Sequence, residues 1–299
     1  MMEHHCLQCP RTCGADRANG KLGYCGVPWS FLVARAALHQ WEEPSISGNS
    51  GSGTIFFSGC NLHCVFCQNR EISHGALGKE VSPWRLAELM LRLRDEGAHN
   101  INLVTPTPYA YQLVRVLEQV KPALGIPIIY NCGGYESTEG LRRLDGLVDV
   151  YLPDIKYHSS ELSARYSGAA DYSTVSRQAL REMLRQVGAP QFDCNGLIRR
   201  GTIVRHLVLP GARADSIDLL CSLAGEFGSH AFYFSLMSQY TPQFADTCPY
   251  KELHRRVTSF EYDTVLAKAR ELGFEGYFQS RESAVPDFTP SFSESIKLL

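Results

Sequence analysis

The chain has neither a long apolar run nor a charge surplus, and each absence narrows what it can be. No stretch approaches the roughly 18 apolar residues that a membrane-spanning helix needs. His4, His5 and Cys6 stand where a secretory leader would carry its apolar core, so a soluble, cytoplasmic protein is expected. Lysine and arginine number 29 against 31 acidic residues, a net charge of −2. No global positive field therefore draws the chain to nucleic acid or an anionic membrane, with Arg199-Arg200 the local exception. Internal repeats and low-complexity tracts are also missing, which excludes a repeat array. What is present is size: 299 residues with 44% hydrophobic content suffice for an enzyme with a sizeable core.

Cysteine is the most telling presence. Eleven is an odd number, and seven of them fall in two clusters, which fits metal ligation in a reducing compartment better than a disulfide scaffold. Cys132, Cys194, Cys221 and Cys248 lie apart and read as plain thiols. Cys60, Cys64 and Cys67 form a compact triad after the apolar run Ile55-Phe56-Phe57 and the Ser58-Gly59 turn, followed by Gln68-Asn69. Thiolates hold iron–sulfur clusters, and a 4Fe-4S cube has four irons, so three thiolates on one loop leave one iron open to a substrate. By spacing alone, a zinc knuckle or three unrelated buried thiols are the alternatives. Cys6, Cys9, Cys13 and Cys25 make the second cluster; four-thiolate sites serve zinc and iron–sulfur clusters alike, and their spacing matches neither a common zinc ribbon nor a bacterial ferredoxin run. The glycine-rich stretch from Gly48 to Gly53 is the expected junction between a Cys-rich segment, residues 1–50, and a main domain, residues 51–299.

Beyond that junction short apolar runs alternate with helical patterns. Strands are expected at Thr54–Ser58, Ile101–Val104, Ile126–Tyr130, Val148–Leu152, Thr202–Leu207 and Phe232–Phe234, with a further one near Tyr277. Leu86, Leu89, Met90 and Leu93 share one helix face, as do Leu113, Val116, Leu117 and Val120, then Leu180, Met183, Leu184 and Val187, and finally Tyr262, Val265, Leu266 and Ala269. Ser82-Pro83 opens the first of these helices and Gly97 closes it. Alternation of this kind means parallel strands with right-handed crossovers, in a doubly wound sheet or a barrel. Ligands of either sheet sit at the carboxyl ends of the strands, where the triad lies.

Cys-x3-Cys-x2-Cys with Phe66 before its last cysteine resembles the signature of radical S-adenosylmethionine enzymes, and the wider string is similar to the pyruvate formate-lyase-activating-enzyme-like branch. The resemblance implies an α/β fold, an open partial (β/α)6 barrel with a Cys-rich N-terminal extension. It implies a 4Fe-4S cluster on Cys60, Cys64 and Cys67, with S-adenosylmethionine on the open iron, cleaved reductively to methionine and a 5′-deoxyadenosyl radical that abstracts hydrogen from a substrate. Phe66 would lie by the adenine. Asp154-Ile155-Lys156 resembles the family's Asp-x-Lys element near the methionine, against a rim salt bridge as the alternative. Arg205, in Val204-Arg205-His206 ahead of Pro210-Gly211, is the candidate for the methionine carboxylate, and His206, facing the other way, a packed histidine. Thr105-Pro106-Thr107-Pro108 stands where the superfamily carries Gly-Gly-Glu, and Asn131 replaces an acid ahead of Gly133-Gly134; both are departures, and the glycine pair also suits any tight turn. The implied partners are an electron donor such as flavodoxin or ferredoxin and a substrate, either a glycine of a partner glycyl radical enzyme or a small molecule or other protein. A non-catalytic iron–sulfur or zinc protein is the remaining class. The N-terminal cysteines would hold a second metal, zinc or iron–sulfur.

Overall fold

The computed structural model describes residues 5–74, 77–279 and Phe292. Among these, ten strands join one sheet: β1 (Phe31–His39), β2 (Ser52–Phe57), β3 (Lys79–Val81), β4 (Ile101–Val104), β5 (Ile128–Cys132), β6 (Val150–Pro153), β7 (Gln191–Phe192), β8 (Ile198–Leu207), β9 (Tyr233–Met237) and β10 (Gly276–Phe278). The helices are α1 (Pro44–Ser47), α2 (Arg70–Ser73), α3 (Pro83–Asp95), α4 (Ala110–Leu124), α5 (Thr138–Arg142), α6 (Ser160–Ser167), α7 (Tyr172–Val187), α8 (Arg213–Phe227) and α9 (Ser259–Glu271).

The strand order is β10-β9-β8-β6-β5-β4-β2-β1-β3, with β7 paired to β8. From β2 to β10 the neighbours on this path are all parallel, while β1 runs antiparallel to both β2 and β3. β3 and β10 stand at opposite edges and do not pair, so the α/β sheet is an open barrel. The six strands expected from periodicity are present, and the further one at Tyr277 is β10. β1 was not legible as a strand: Ala34, Arg35, Ala36 and Ala37 interrupt its apolar pattern, and alanine is a poor strand former. Because β1 pairs along β2 from His39↔Ser52 to Val33↔Phe57, the sheet runs across the glycine-rich stretch at residues 48–53.

The expected helical stripes are the buried ones. Leu86, Leu89, Met90 and Leu93 of α3 and Leu113, Val116, Leu117 and Val120 of α4 pack with Ile55, Leu103 and Tyr130 in one core. Ser82 caps α3 by accepting the Arg85 amide at 3.1 Å. On the inner side of the sheet, Ile46 of α1 is fully buried against Ile129, Val150, Leu152, Ile198 and Ile203. Ile129, Val150 and Ile198 stand near the starts of their strands, and Asn100, just ahead of β4, donates to the Ile46 carbonyl at 2.8 Å, so α1 plugs the barrel at its N-terminal mouth and leaves the carboxyl end open. Burying one such aliphatic side chain contributes roughly 1.5–3 kcal/mol.

Two glycines fix how the chain turns at the open end. Gly59 has φ +80°, and a Cβ there would lie 2.6 Å from the Cys25 carbonyl oxygen, so the triad loop and the N-terminal segment touch backbone to backbone. Gly134 has φ +78°, and a Cβ there would run into the Asp154 carbonyl oxygen. The Tyr172 hydroxyl ties the same place together: it lies 2.8 Å from the carbonyls of Gly133 and Asp154 and accepts the Lys156 amide at 3.1 Å. Gly134→Ala is therefore expected to cost roughly 1–3 kcal/mol through the left-handed backbone alone, and more through the collision. A fall of several degrees in the thermal midpoint is the expected reading; an unchanged midpoint would mean that the β5 and β6 ends separate freely.

Candidate active site

The triad loop leaves β2 at its carboxyl end. Cys60, Cys64 and Cys67 all line one cavity of about 180 Å³, whose walls come from the ends of β4, β5, β6, β8 and β9. Each sulfur has a donor beside it: the Leu62 amide at 3.4 Å from Cys60, the Ser73 hydroxyl at 3.3 Å from Cys67 and the Ser167 hydroxyl at 2.9 Å from Cys64. Hydrogen bonds of this kind tune an iron–sulfur centre. His63, between the first two cysteines, holds φ 55°, a left-handed conformation uncommon outside glycine. Burial pushes the Cys60 thiol up to about 12, with Cys64 and Cys67 adding to the rise, and burial likewise raises Cys67. Such thiols give up their protons when a metal takes their place. Among the described residues no group of three or more His, Cys, Asp or Glu side chains is arranged to hold a single ion. A cube makes a different demand, since its ligands bind separate irons, and three sulfurs around one chamber meet it.

The strand ends opposite the loop carry a chain of buried charges. Asp154 and Arg205 form a parallel bridge between β6 and β8. Lys156 Nζ donates to Asp154 Oδ2 at 2.6 Å, Arg205 Nε donates to Asp154 Oδ1 at 2.8 Å, and Arg205 Nη1 donates to Glu42 Oε2 at 3.3 Å. The four side chains are between 10% and 20% exposed, which places the pair inside the barrel and not on its rim. Burial alone would raise the Asp154 carboxyl, but Arg205 and Lys156 together hold it below the usual carboxylate value. Lys156 is pushed up to about 12, Asp154 overcoming the cost of burial. Arg205 also donates from Nη2 to Asn131 Oδ1 at 2.6 Å, so three of its five N–H donors already have partners within the chain.

The other expected residues divide. Phe66 is buried in the chamber wall, edge-on to Tyr166 and Tyr240 at centroid distances of 6.5 and 6.1 Å. Thr105, Thr107, Asn131 and Gly133 line the chamber. Thr105 holds φ 58° while its amide donates to the Asn131 carbonyl at 2.9 Å; Thr107 donates to Glu136 at 2.7 Å. His206 points away, buried between the Ile155 carbonyl at 2.7 Å and the Ser216 hydroxyl at 2.9 Å, and burial lowers its pKa. It is a packed, neutral histidine. Glu42 and Glu136 were missed, because no motif surrounds either and their importance arises from burial alone.

The N-terminal segment packs on the triad loop. Arg11 donates to the Asn61, Ser167 and Gly168 carbonyls at 2.8, 3.1 and 2.6 Å, and Tyr24 stacks on His63 at 4.8 Å. Arg17, buried, donates to the Val27, Pro28 and Pro108 carbonyls. Cys6 and Cys25 are buried, Cys9 is half-buried and Cys13 exposed. Burial raises Cys9 to about 12, with Cys25, Glu136 and Cys6 adding to the rise, and burial with Cys6 and Cys13 raises Cys25. The structure thus brings the two cysteine clusters to adjoining parts of the fold.

A parallel open barrel with a cysteine-lined chamber at the carboxyl ends of its strands has its cavity where α/β sheets bind their ligands. Residues 54–224, more than half of the chain, match the family model of the Radical SAM superfamily, and the chain belongs to that superfamily. Members use a 4Fe-4S cluster and S-adenosylmethionine, which they cleave reductively to begin radical chemistry. A curated relative, the Uncharacterized protein MJ0674 of Methanocaldococcus jannaschii, is 28% identical over 282 residues, covering 91% of this chain and 76% of its own length. Among solved structures, methylornithine synthase (PylB) is 16% identical with a TM-score of 0.45 over 75% of this chain and 66% of its own. Streptococcus suis SuiB bound to S-adenosylmethionine is 13% identical with a TM-score of 0.49 over 79% of this chain and 52% of its own. The chain thus spans about two thirds of the one solved protein and half of the other. Among the described residues no helix is long and apolar enough to cross a membrane.

Glu136, behind the chamber wall where it holds Thr107, supplies a pH test of that packing. It is buried, accepts from Thr107 and from the Tyr130 hydroxyl at 3.1 Å, and burial pushes its carboxyl up to about 7 despite these bonds. The folded chain therefore holds this proton more tightly than the unfolded chain. The associated stability is fully present below about 4.5 and is lost as pH rises through about 7. Up to roughly 3 kcal/mol is at stake at 1.36 kcal/mol per unit. Urea unfolding of the metal-free protein between pH 5 and 8 is expected to show a steeper loss for the wild type than for Glu136→Gln; parallel curves would remove Glu136 from the account.

Proposed function

We propose that the chain is an activating-enzyme-like radical enzyme in which Cys60, Cys64 and Cys67 hold the 4Fe-4S cluster, and that it abstracts a hydrogen atom from a substrate brought to the same chamber. The observation that carries this reading is convergence: three thiols, Phe66, Asp154, Lys156 and Arg205 line one cavity although they come from distant parts of the sequence. When bound, the cluster and S-adenosylmethionine supply the electron and the radical. The chain's own part is positioning and shielding. Lys156, held by Asp154, is the fixed cation facing the methionine end; Phe66 offers an apolar face to the adenine; Arg205 is braced by Asp154, Glu42 and Asn131 and offers its remaining donors to the carboxylate. A flavodoxin or ferredoxin is the proposed electron donor. The similarity of Asp154-Ile155-Lys156 to activating enzymes favours a glycine of a partner glycyl radical enzyme as substrate, with a small molecule or another protein as the alternative. Deuterium at that glycine appearing in 5′-deoxyadenosine separates the two.

Anaerobically reconstituted, reduced protein is expected to turn S-adenosylmethionine into 5′-deoxyadenosine and methionine without added substrate. Cys64→Ala should remove both the cluster absorbance and the cleavage. A variant that keeps a full cluster and normal turnover would sink the triad assignment.

Cys6, Cys9, Cys13 and Cys25 are proposed to hold a second metal; Cys6 and Cys25 lie near Cys9, and the four thiols, which do not surround one ion position in this structure, would draw together around the metal. Metal counting on anaerobic protein is expected to give about eight irons per chain for a second cluster, or about four irons and one zinc for a zinc site. Changing Cys9 and Cys13 to Ser should remove only the second increment. Four irons, no zinc and alkylatable N-terminal thiols in the folded protein would overturn the second site.

A further inference from the structure

A second cavity of about 170 Å³ adjoins the chamber and runs into the barrel interior; the two share Gln68, Asn69, Val104, Asn131, Arg205 and Gln239 among their walls. Its floor comes from the segment between β1 and α1, outside the residues that match the family model. That segment brings Glu42 and Glu43 into the barrel. Glu42 is fully engaged: Oε1 accepts from Asn102 at 2.9 Å and lies 3.5 Å from the Asn131 amide nitrogen, and Oε2 accepts from Arg205. Glu43 is not. The residue is half-buried, but its Oε2 is sealed from solvent and has no hydrogen-bond partner among the described residues. A buried carboxylate oxygen left in this way is costly unless a donor meets it.

Asp154 and Glu42 hold the ion pairs to Lys156 and Arg205, and Glu43 has no ion pair of its own among the described residues; burial raises its carboxyl, opposed by the nearby Arg205 and by a contact with Ser235, and a cation seated at its open oxygen would oppose that rise further. His39, on the cavity wall, does not supply that cation, because burial and Arg35 lower it to about 4 and leave it neutral. Asn69, shared by both cavities, also presents a buried Oδ1 without a partner among the described residues. Trp41, Phe56 and Tyr277 supply aromatic wall, which suits a cation as well as an apolar stem.

We propose that this inner cavity is the substrate subsite and receives a cationic group, an ammonium or guanidinium on a short apolar stem, with Glu43 as its carboxylate partner. The proposal rests on the radical reading above for what happens beside the subsite, but the recognition itself depends only on residues of this chain. A free amine and a lysine or arginine side chain of a protein substrate present the same chemistry.

Binding to the full-length reconstituted protein tests it, by calorimetry and by the fluorescence of Trp41 against a Trp41→Phe control. The probes are n-butylamine beside n-butanol, and a blocked tetrapeptide containing lysine beside its norleucine counterpart. The amine of at least one pair is expected to bind while its neutral partner does not, and Glu43→Gln is expected to weaken that binding roughly ten- to a hundredfold. Binding of butylamine alone identifies a small-molecule source; binding of the lysine peptide identifies a protein source. Equal binding of the charged and neutral members, or no binding by any probe, overturns the proposal even where the variant fails to fold. If Glu43→Gln weakens S-adenosylmethionine as much as the amine, the carboxylate belongs to the cosubstrate and the proposal also falls. Failure of the unsubstituted protein to cleave S-adenosylmethionine is a separate result: it overturns the radical reading and leaves amine recognition as measured.

Discussion

A line of buried charge, Lys156 to Asp154 to Arg205 to Glu42, crosses the barrel and holds its parts in register. Charges removed from water are tolerated only when each meets an opposite partner in good geometry, and removal of one partner from such a pair typically costs about 3–5 kcal/mol. This line joins the end of β6 to β8 and β8 to the segment before α1. An arrangement that misplaced any of the three would strand a charge in a low-dielectric interior. The same constraint makes the chamber polar on one side, because the amides of Asn102 and Asn131 are drawn in to complete Glu42, and apolar on the other, where Phe66 packs on Tyr166 and Tyr240.

The segment ahead of β2 does more than extend the chain. It plugs the N-terminal mouth with Ile46, supplies both glutamates of the inner cavity and braces the triad loop through Arg11 and Tyr24. Three non-glycine residues are left-handed: Thr12 between two N-terminal cysteines, His63 between two triad cysteines and Thr105 at the end of β4. Each such conformation costs of order 1–3 kcal/mol and persists where its surroundings over-determine it. The packing of the N-terminal segment on the triad loop supplies that determination at His63, through the Tyr24 stack and the Arg11 bond to Asn61.

Much of this organisation was legible in the amino-acid order. The parallel strands and the stripes of α3, α4, α7 and α9 follow from periodicity, because side chains at fixed spacing must share a face. The triad follows from cysteine spacing along one loop, and Asp154 and Lys156 share a side because alternate residues of an extended chain do. Phe66 was placed by its position in the motif. Such features are local, and local geometry is written in sequence distance.

Tertiary structure alone decided the rest. β1 has a weak pattern of its own and is a strand because β2 and β3 flank it. Sequence offered Arg205 as a candidate for the methionine carboxylate; that Asp154, Glu42 and Asn131 brace it through three of its donors depends on residues up to 163 positions apart. Glu42, Glu43 and Glu136 carry no motif. Burial is the first cause that raises all three carboxyls, and burial is a property of everything packed around them, so their part appears only in the folded barrel.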